Sequence, residues 1–179
     1  MRRVLPFIPI VVLVALGVLF AGYGLHHDPT VQPNALIGKP LPIQSLPTLD
    51  GGQPVRISGA LNGKPGLINV FGSWCGPCAI ESPQLLKLQQ EGVPIVGVSW
   101  MDKPGDTQAF LQRVGNPFRL VLVGTDETPV EFGITGAPET FVVDAKGMIV
   151  SKHIGAMTEK DVQDMTDQVE LLRTQGSRS

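Results

Sequence analysis

The sequence predicts an α/β fold, a mixed β-sheet flanked by helices, on three observations. Two apolar runs, Leu67-Ile68-Asn69-Val70-Phe71 and Ile95-Val96-Gly97-Val98-Ser99, read as buried strands. The stretch between them, 79–91, reads as a helix, which makes a β-α-β unit whose strands run parallel with a right-handed crossover. Further on, strand-like runs at 139–143 and 148–154 flank Asp144-Ala145-Lys146-Gly147, a hairpin turn. A strand hairpin and a closing helix after a β-α-β unit give a mixed sheet sandwiched by helices.

The chain of 179 residues supports one domain plus an extension. Its net charge of −2 and its 17% of charged residues provide no basic field for nucleic acid. The N-terminus departs from soluble character. After Arg2 and Arg3, residues 4–25 carry no charge. At 1.5 Å per residue a run of about 22 residues crosses a hydrocarbon core. Pro6 and Pro9 fall in its first turns, where they disrupt least. Residues 1–25 therefore read as a transmembrane signal-anchor, with the arginines cytoplasmic and the rest exported. A cleaved signal peptide is the competing reading, but the run exceeds a signal core and no Ala-x-Ala site follows.

Residues 26–42 hold Pro29, Pro33, Pro40 and Pro42 without helical periodicity, as in an extended periplasmic tether, which leaves 43–179 as the domain. Within 46–57, Asp50-Gly51-Gly52 signals a hairpin between short β-like runs. Asn62-Gly63-Lys64-Pro65 is a turn feeding the strand at 66–71. Phe110, Leu111 and Val114 have helical spacing across 106–114, and Gly115 stands where a helix ends on a left-handed residue. Residues 118–123 form a third strand. Thr158 and Asp161 match a capping box, and Val162, Met165, Val169 and Leu172 line one face of the last helix. No internal repeat is visible.

The chemistry lies in Trp74-Cys75-Gly76-Pro77-Cys78, which contains the only two cysteines. At a helix start, residues i and i+3 face the same side, so the two sulfurs can bond. Unpaired N–H groups and the helix dipole there stabilise negative charge and lower a thiol pKa below its free value of about 8.5. Cys75 is then the attacking thiolate, and Cys78, one turn deeper, resolves the mixed disulfide. Pro77 lacks an N–H and suits the first helical positions, while Trp74 covers one side of the pair. A purely structural disulfide over so short a loop adds little stability. A zinc site lacks further soft ligands, since the only histidines are His26, His27 and His153. No metal and no cofactor are expected.

These residues resemble the thioredoxin superfamily, whose own active-site motif matches residues 74–78 and whose motif helix carries a proline where Pro83 stands. Within it the chain looks most like the DsbE/CcmG group of cytochrome c maturation, through Gly115-Asn116-Pro117-Phe118 and the segment from Gly133 to Asp144, Gly-Ile-Thr-Gly-Ala-Pro-Glu-Thr-Phe-Val-Val-Asp. The resemblance covers about residues 36 to 172. It implies a thioredoxin-like fold and a cis bond before Pro138, in a bend lying against the cysteines. It also places two acids, Glu81 and Glu139, around the active-site groove, where a carboxylate disfavours a thiolate and relays a proton. Asn69 stands where thioredoxin has a buried acid, and an amide takes no proton, which favours Glu81 or Glu139 for that work. The chain departs from the group in its Gly-Pro dipeptide, in Thr135 where an aromatic is common, and in Gly72-Ser73.

The function implied is a membrane-anchored periplasmic thiol–disulfide oxidoreductase that reduces the haem-attachment disulfide of apocytochrome c, directly or through a cytochrome c maturation thiol partner. A membrane electron-donating thiol carrier would restore the dithiol. A general periplasmic disulfide reductase or oxidase, a copper chaperone using both thiolates and His153, and a thiol peroxidase are the alternatives.

Overall fold

The computed structural model describes residues 12–16, 36–128 and 133–176. The chain divides into two compact units, Met1–Pro33 and Asn34–Ser179. Of the first, residues 12–16 are helical and exposed; the rest of the expected anchor, 1–25, lies outside the described residues. No described helix is long and apolar enough to cross a membrane.

The second unit is built from β1 (Ser45–Leu46), β2 (Val55–Arg56), β3 (Gly66–Phe71), α1 (Gly76–Gln90), β4 (Ile95–Ser99), α2 (Pro104–Val114), β5 (Leu120–Val123), β6 (Glu139–Val143), β7 (Ile149–Ile154) and α3 (Glu159–Gly176). Five strands form one mixed sheet in the order β5-β4-β3-β6-β7. β3 runs parallel to β4, and β4 to β5, whereas β6 is antiparallel to both β3 and β7. As the central strand, β3 is buried at every residue, which is why its sequence reads as a continuous apolar run. The β1–β2 pair forms a separate two-stranded ribbon around the turn at Asp50-Gly51-Gly52.

Among the described residues, the three long helices share one face of the sheet instead of sandwiching it. One cluster joins Cys78, Leu85 and Leu88 of α1, Phe110 and Leu111 of α2, and Val162, Met165 and Val169 of α3 to Leu67, Phe71 and Val142 of the strands. The topology accounts for this. The crossovers β3-α1-β4 and β4-α2-β5 step the same way across the sheet, and crossovers of one hand that step the same way put their helices on the same side. Phe71 anchors the cluster, with its ring 4.8 Å from Phe118 and 6.0 Å from Phe110.

Segment 36–61 covers the opposite face. Leu41, Leu46, Ile57, Ala60 and Leu61, with Ile134, bury Ile68, Val70, Val96, Val98, Phe141 and Val143. Its backbone also clasps both edges of the sheet. Leu41 N–H donates to Gly147 O and Gly38 N–H to Ile149 O on one side; on the other, Leu49 N–H donates to Val121 O and Val123 N–H to Pro47 O. Exposed strand edges invite pairing with other chains, and these bonds occupy them. Residues 36–42, expected in the tether, are thus docked on the domain, while 26–35 lie outside the described residues.

Local signals fix the remaining boundaries. Thr158 and Asp161 form the reciprocal cap of α3: Thr158 N–H donates to Asp161 Oδ2 at 2.7 Å and Asp161 N–H to Thr158 Oγ1 at 3.3 Å. Gly115 ends α2 with φ 92° but ψ 154°, so the chain leaves extended and not through a left-handed helical turn.

Candidate active site

Cys75 is the N-cap of α1, with extended backbone angles, and Gly76 and Pro77 are the first two helical residues. Cys75 and Cys78 are joined by a disulfide with their Cα atoms 5.3 Å apart. Cys78 N–H donates to Cys75 Sγ at 3.1 Å, so a free amide at the helix start already points at the sulfur that would carry charge after reduction. Both cysteines are buried, Cys75 at 4% and Cys78 at 2% exposure, and only a small difference in shielding separates them. Trp74 is half exposed. It packs edge-on against Trp100 at 5.8 Å, and its indole N–H donates to Trp100 O at 3.1 Å. A Cβ on Gly72 would lie 2.5 Å from Trp74 Nε1, so only glycine admits the indole there. A Cβ on Gly76 would meet nothing within 4 Å.

Beneath the pair lies a buried polar floor. Asn69, on β3, donates from Nδ2 to Glu81 Oε1 at 3.0 Å and to Thr140 Oγ1 at 2.9 Å. Glu81, on α1, also accepts from Met157 N–H at 3.3 Å. Burial pushes the Glu81 carboxyl up to about 7, against the lowering effect of the Asn69 and Met157 bonds. Asn69, Cys78, Glu81 and Ser82 line one small cavity of about 10 Å³, so this carboxyl and the inner cysteine border a common space.

The Ala137–Pro138 bond is cis, and Ala137 O lies 3.4 Å from Cys75 Sγ. The structure therefore brings the proline bend to the cysteines. It does not bring Glu139 there. Glu139 alternates with Phe141 and Val143 on β6, whose side chains belong to the face opposite the helices. Its carboxylate is fully buried and committed elsewhere. Oε1 accepts from Thr135 N–H at 2.9 Å and Thr135 Oγ1 at 2.6 Å, and Oε2 pairs with Lys152 Nζ at 2.8 Å. Lys152 also donates to Gly133 O at 2.9 Å and sits 5.3 Å from the Phe141 ring centroid. The placement of Glu139 at the active-site groove is corrected accordingly: strand alternation turns it away, and it anchors the 133–137 segment.

Three residues at or behind the site carried no local signal in the sequence: Lys152, Trp100 and Asp102. Asp102 binds Ser73 through both the backbone N–H and the hydroxyl, each at 2.7 Å. These are contacts across 29 residues of chain, which no short pattern announces. His153 lies apart from the sulfurs in the hydrogen-bond network, with Nδ1 3.7 Å from Asp161 Oδ1.

Comparison with known proteins gives the same picture. Residues 36–169 match the Redoxin family. The thiol:disulfide interchange protein HelX of Rhodobacter capsulatus is 37% identical over 93% of this chain and 96% of its own. The thiol:disulfide interchange protein DsbE of Pseudomonas fluorescens biotype C is 38% identical over 89% of each chain. Among solved structures, a thiol:disulfide interchange protein of the thioredoxin family from Chlorobium tepidum superposes with a TM-score of 0.61 at 28% identity, covering 73% of this chain and 94% of that one. The matched span takes in the cysteine helix, its polar floor and the cis-proline segment alike, so the chain belongs to the Redoxin family and is a thioredoxin-fold thiol–disulfide oxidoreductase of the DsbE/HelX type.

Proposed function

We propose that this oxidoreductase is held in the cytoplasmic membrane by residues 1–25 as an uncleaved signal-anchor, faces the periplasm, and reduces the haem-attachment disulfide of apocytochrome c, directly or through a maturation thiol partner. Haem bonds only to free thiols, and an oxidising compartment removes them, so such a site calls for a dedicated reductant. The observation that carries the proposal is the Ala137 carbonyl beside Cys75 Sγ. A backbone segment next to the attacking sulfur offers an extended substrate chain a pairing partner while its disulfide is exchanged.

In the reduced protein the Cys75 thiolate attacks one sulfur of the substrate disulfide, and the other leaves as a thiolate. Cys78 then loses its proton and attacks Cys75 Sγ, which releases the second substrate thiol and closes the Cys75–Cys78 disulfide. Glu81 borders the same cavity as Cys78, which supports it as the acceptor of that proton. Trp74, half exposed, directly precedes Cys75 in the chain, Pro77 and Gly76 open the helix, and Asn69 and Pro138 belong to the floor and the bend. A membrane thiol carrier returns the two electrons. The chemistry needs no metal or cofactor.

The test is trapping with Cys78→Ala, which leaves Cys75 joined to its partner. Recovery of apocytochrome c or a maturation thiol protein is expected, and recovery of unrelated envelope proteins alone would overturn the substrate assignment. A reduction potential near −120 mV, that of a strong oxidant, would reverse the proposed direction.

A further inference from the structure

We infer that Asp102 is a positioning residue of the exchange reaction, a carboxylate that locks the turn bearing Cys75 onto the end of β4. The inference rests on thiol exchange at Cys75 and not on the identity of the substrate. Asp102 lies just after β4 and before α2, remote in sequence from the cysteine motif. Both of its oxygens are engaged. Oδ2 accepts from Ser73 N–H at 2.7 Å and Thr107 Oγ1 at 2.9 Å, and Oδ1 accepts from Ser73 Oγ at 2.7 Å and Lys103 N–H at 3.0 Å. The grip on Ser73 is therefore double, through main chain and side chain together, and Thr107 Oγ1, with its residue fully buried in α2, braces the carboxylate from behind.

Two more bonds join the same pair of loops. Trp100 N–H donates to Phe71 O at 2.8 Å, and Trp100 O accepts the Trp74 indole N–H at 3.1 Å. The segment 100–102 thus holds the turn at Phe71 and Ser73, which flank Gly72, and at Trp74, which precedes Cys75. The turn closes with Cys75 N–H donating to Gly72 O at 3.1 Å. Met101, between the two gripping residues, has φ 50°, a left-handed backbone conformation that non-glycine residues rarely adopt. Its side chain is 72% exposed, so its own contacts do not impose that angle. The backbone kink points Trp100 and Asp102 to opposite ends of one turn.

The consequence for chemistry is directional. A thiolate at an N-cap is stabilised only while the first helical amides aim at it, and exchange needs its lone pair in line with the target S–S bond. The Asp102 bonds fix the chain entering the helix, so they hold Cys75 Sγ against Cys78 N–H. A carboxylate suits the task because its two acceptor oxygens satisfy several donors at once, and charged acceptors make the stronger bonds.

The experiment uses the reduced, full-length protein with a peptide disulfide and with oxidised glutathione at 25 °C, alongside thiolate absorbance as a function of pH. Asp102→Ala is expected to slow Cys75 attack about 10-fold on both disulfides, as expected for a misaligned reacting group. The midpoint of its thiolate titration should move upward. Asp102→Asn retains an acceptor for Ser73 N–H and a donor that the Ser73 hydroxyl can accept, and it should recover most of the rate and the titration midpoint. A wild-type rate and pH profile in folded Asp102→Ala would overturn the inference, because a role in stability alone predicts that result. Should Asp102→Ala not fold, Asp102→Asn and Ser73→Ala decide it. The inference predicts a partial loss of rate in Ser73→Ala, which keeps the main-chain bond, and near-normal rate in Asp102→Asn. Equal, wild-type rates in Ser73→Ala, or a 10-fold loss in Asp102→Asn, would overturn it.

Discussion

The Asn69 amide donates to Glu81 Oε1 at 3.0 Å, and both side chains have no solvent exposure. One buried neutral amide thus meets one buried acid whose proton is held to about pH 7. The pairing ties the central strand to the cysteine helix directly below the disulfide, and its energetics can be read in two ways.

The first is stability. The unfolded Glu81 carboxyl titrates near 4.5 and the folded one at about 7. Below pH 4.5 both states are protonated and the native state carries no penalty. Between these values the unfolded chain ionises first, so stability falls as pH rises, by about 3 kcal/mol once pH exceeds 7. Urea unfolding of the oxidised protein at pH 5 and pH 8 should show this loss, and Glu81→Gln should flatten it. An unchanged pH slope in Glu81→Gln would place the titration elsewhere.

The second is kinetic. If Glu81 takes the proton from Cys78, resolution of the mixed disulfide depends on its ionised form and rises with pH through about 7. Stopped-flow release of a trapped peptide thiol should show that midpoint in the native protein. Glu81→Gln should lower the plateau by 10²-fold or more, the usual scale for a positioned base, while leaving the initial attack by Cys75 unaffected.

Lys152 and Glu139 form an ion pair of 2.8 Å with side-chain exposures of 9% and 0%. Lys152→Met leaves a buried carboxylate without its cation and should cost about 3–5 kcal/mol. The double change Lys152→Met with Glu139→Gln should regain most of that loss. Chemical denaturation of the single and double variants measures it, and a cost under about 1 kcal/mol for Lys152→Met would show the pair to be dispensable.

Glycines at two positions should respond oppositely to alanine. At Gly97 a Cβ would stand 2.8 Å from Phe118 and 2.9 Å from Phe71, so Gly97→Ala overpacks the aromatic cluster and should lose about 1–3 kcal/mol. At Gly76 the space is open, and Gly76→Ala should fold with stability within about 0.5 kcal/mol of the native protein. Thermal unfolding of the two variants provides the comparison.

Much of this was legible because the local signals were strong. β3 and β4 announce themselves as β-branched runs, the capping pair Thr158 and Asp161 marks α3, and a cysteine pair before a helix states its own chemistry. What escaped depends on the direction in which side chains project and on distance along the chain. Glu139 stands next to Pro138 in sequence, yet the period-2 alternation of β6 turns it to the other side of the sheet. Residues 36–42 look like a tether because Pro40 and Pro42 continue the proline-bearing stretch 26–42, but Leu41, at 2% exposure, is core. Lys152 and Asp102 gain their meaning only from partners far away in the chain. The arrangement of helices on one face follows from strand order, which no single element encodes.

The lid made by 36–61 has a practical meaning for how the molecule can be cut. Cleavage ahead of residue 34 would release a catalytic body with its own compact architecture intact. A protease acting between Leu41 and Ile57 would instead strip the cover from Ile68, Val96, Val98 and Phe141, leaving a greasy sheet surface and two bare borders. A cut that leaves the folded body whole and one that ruins it are thus separated by only a few positions along the backbone.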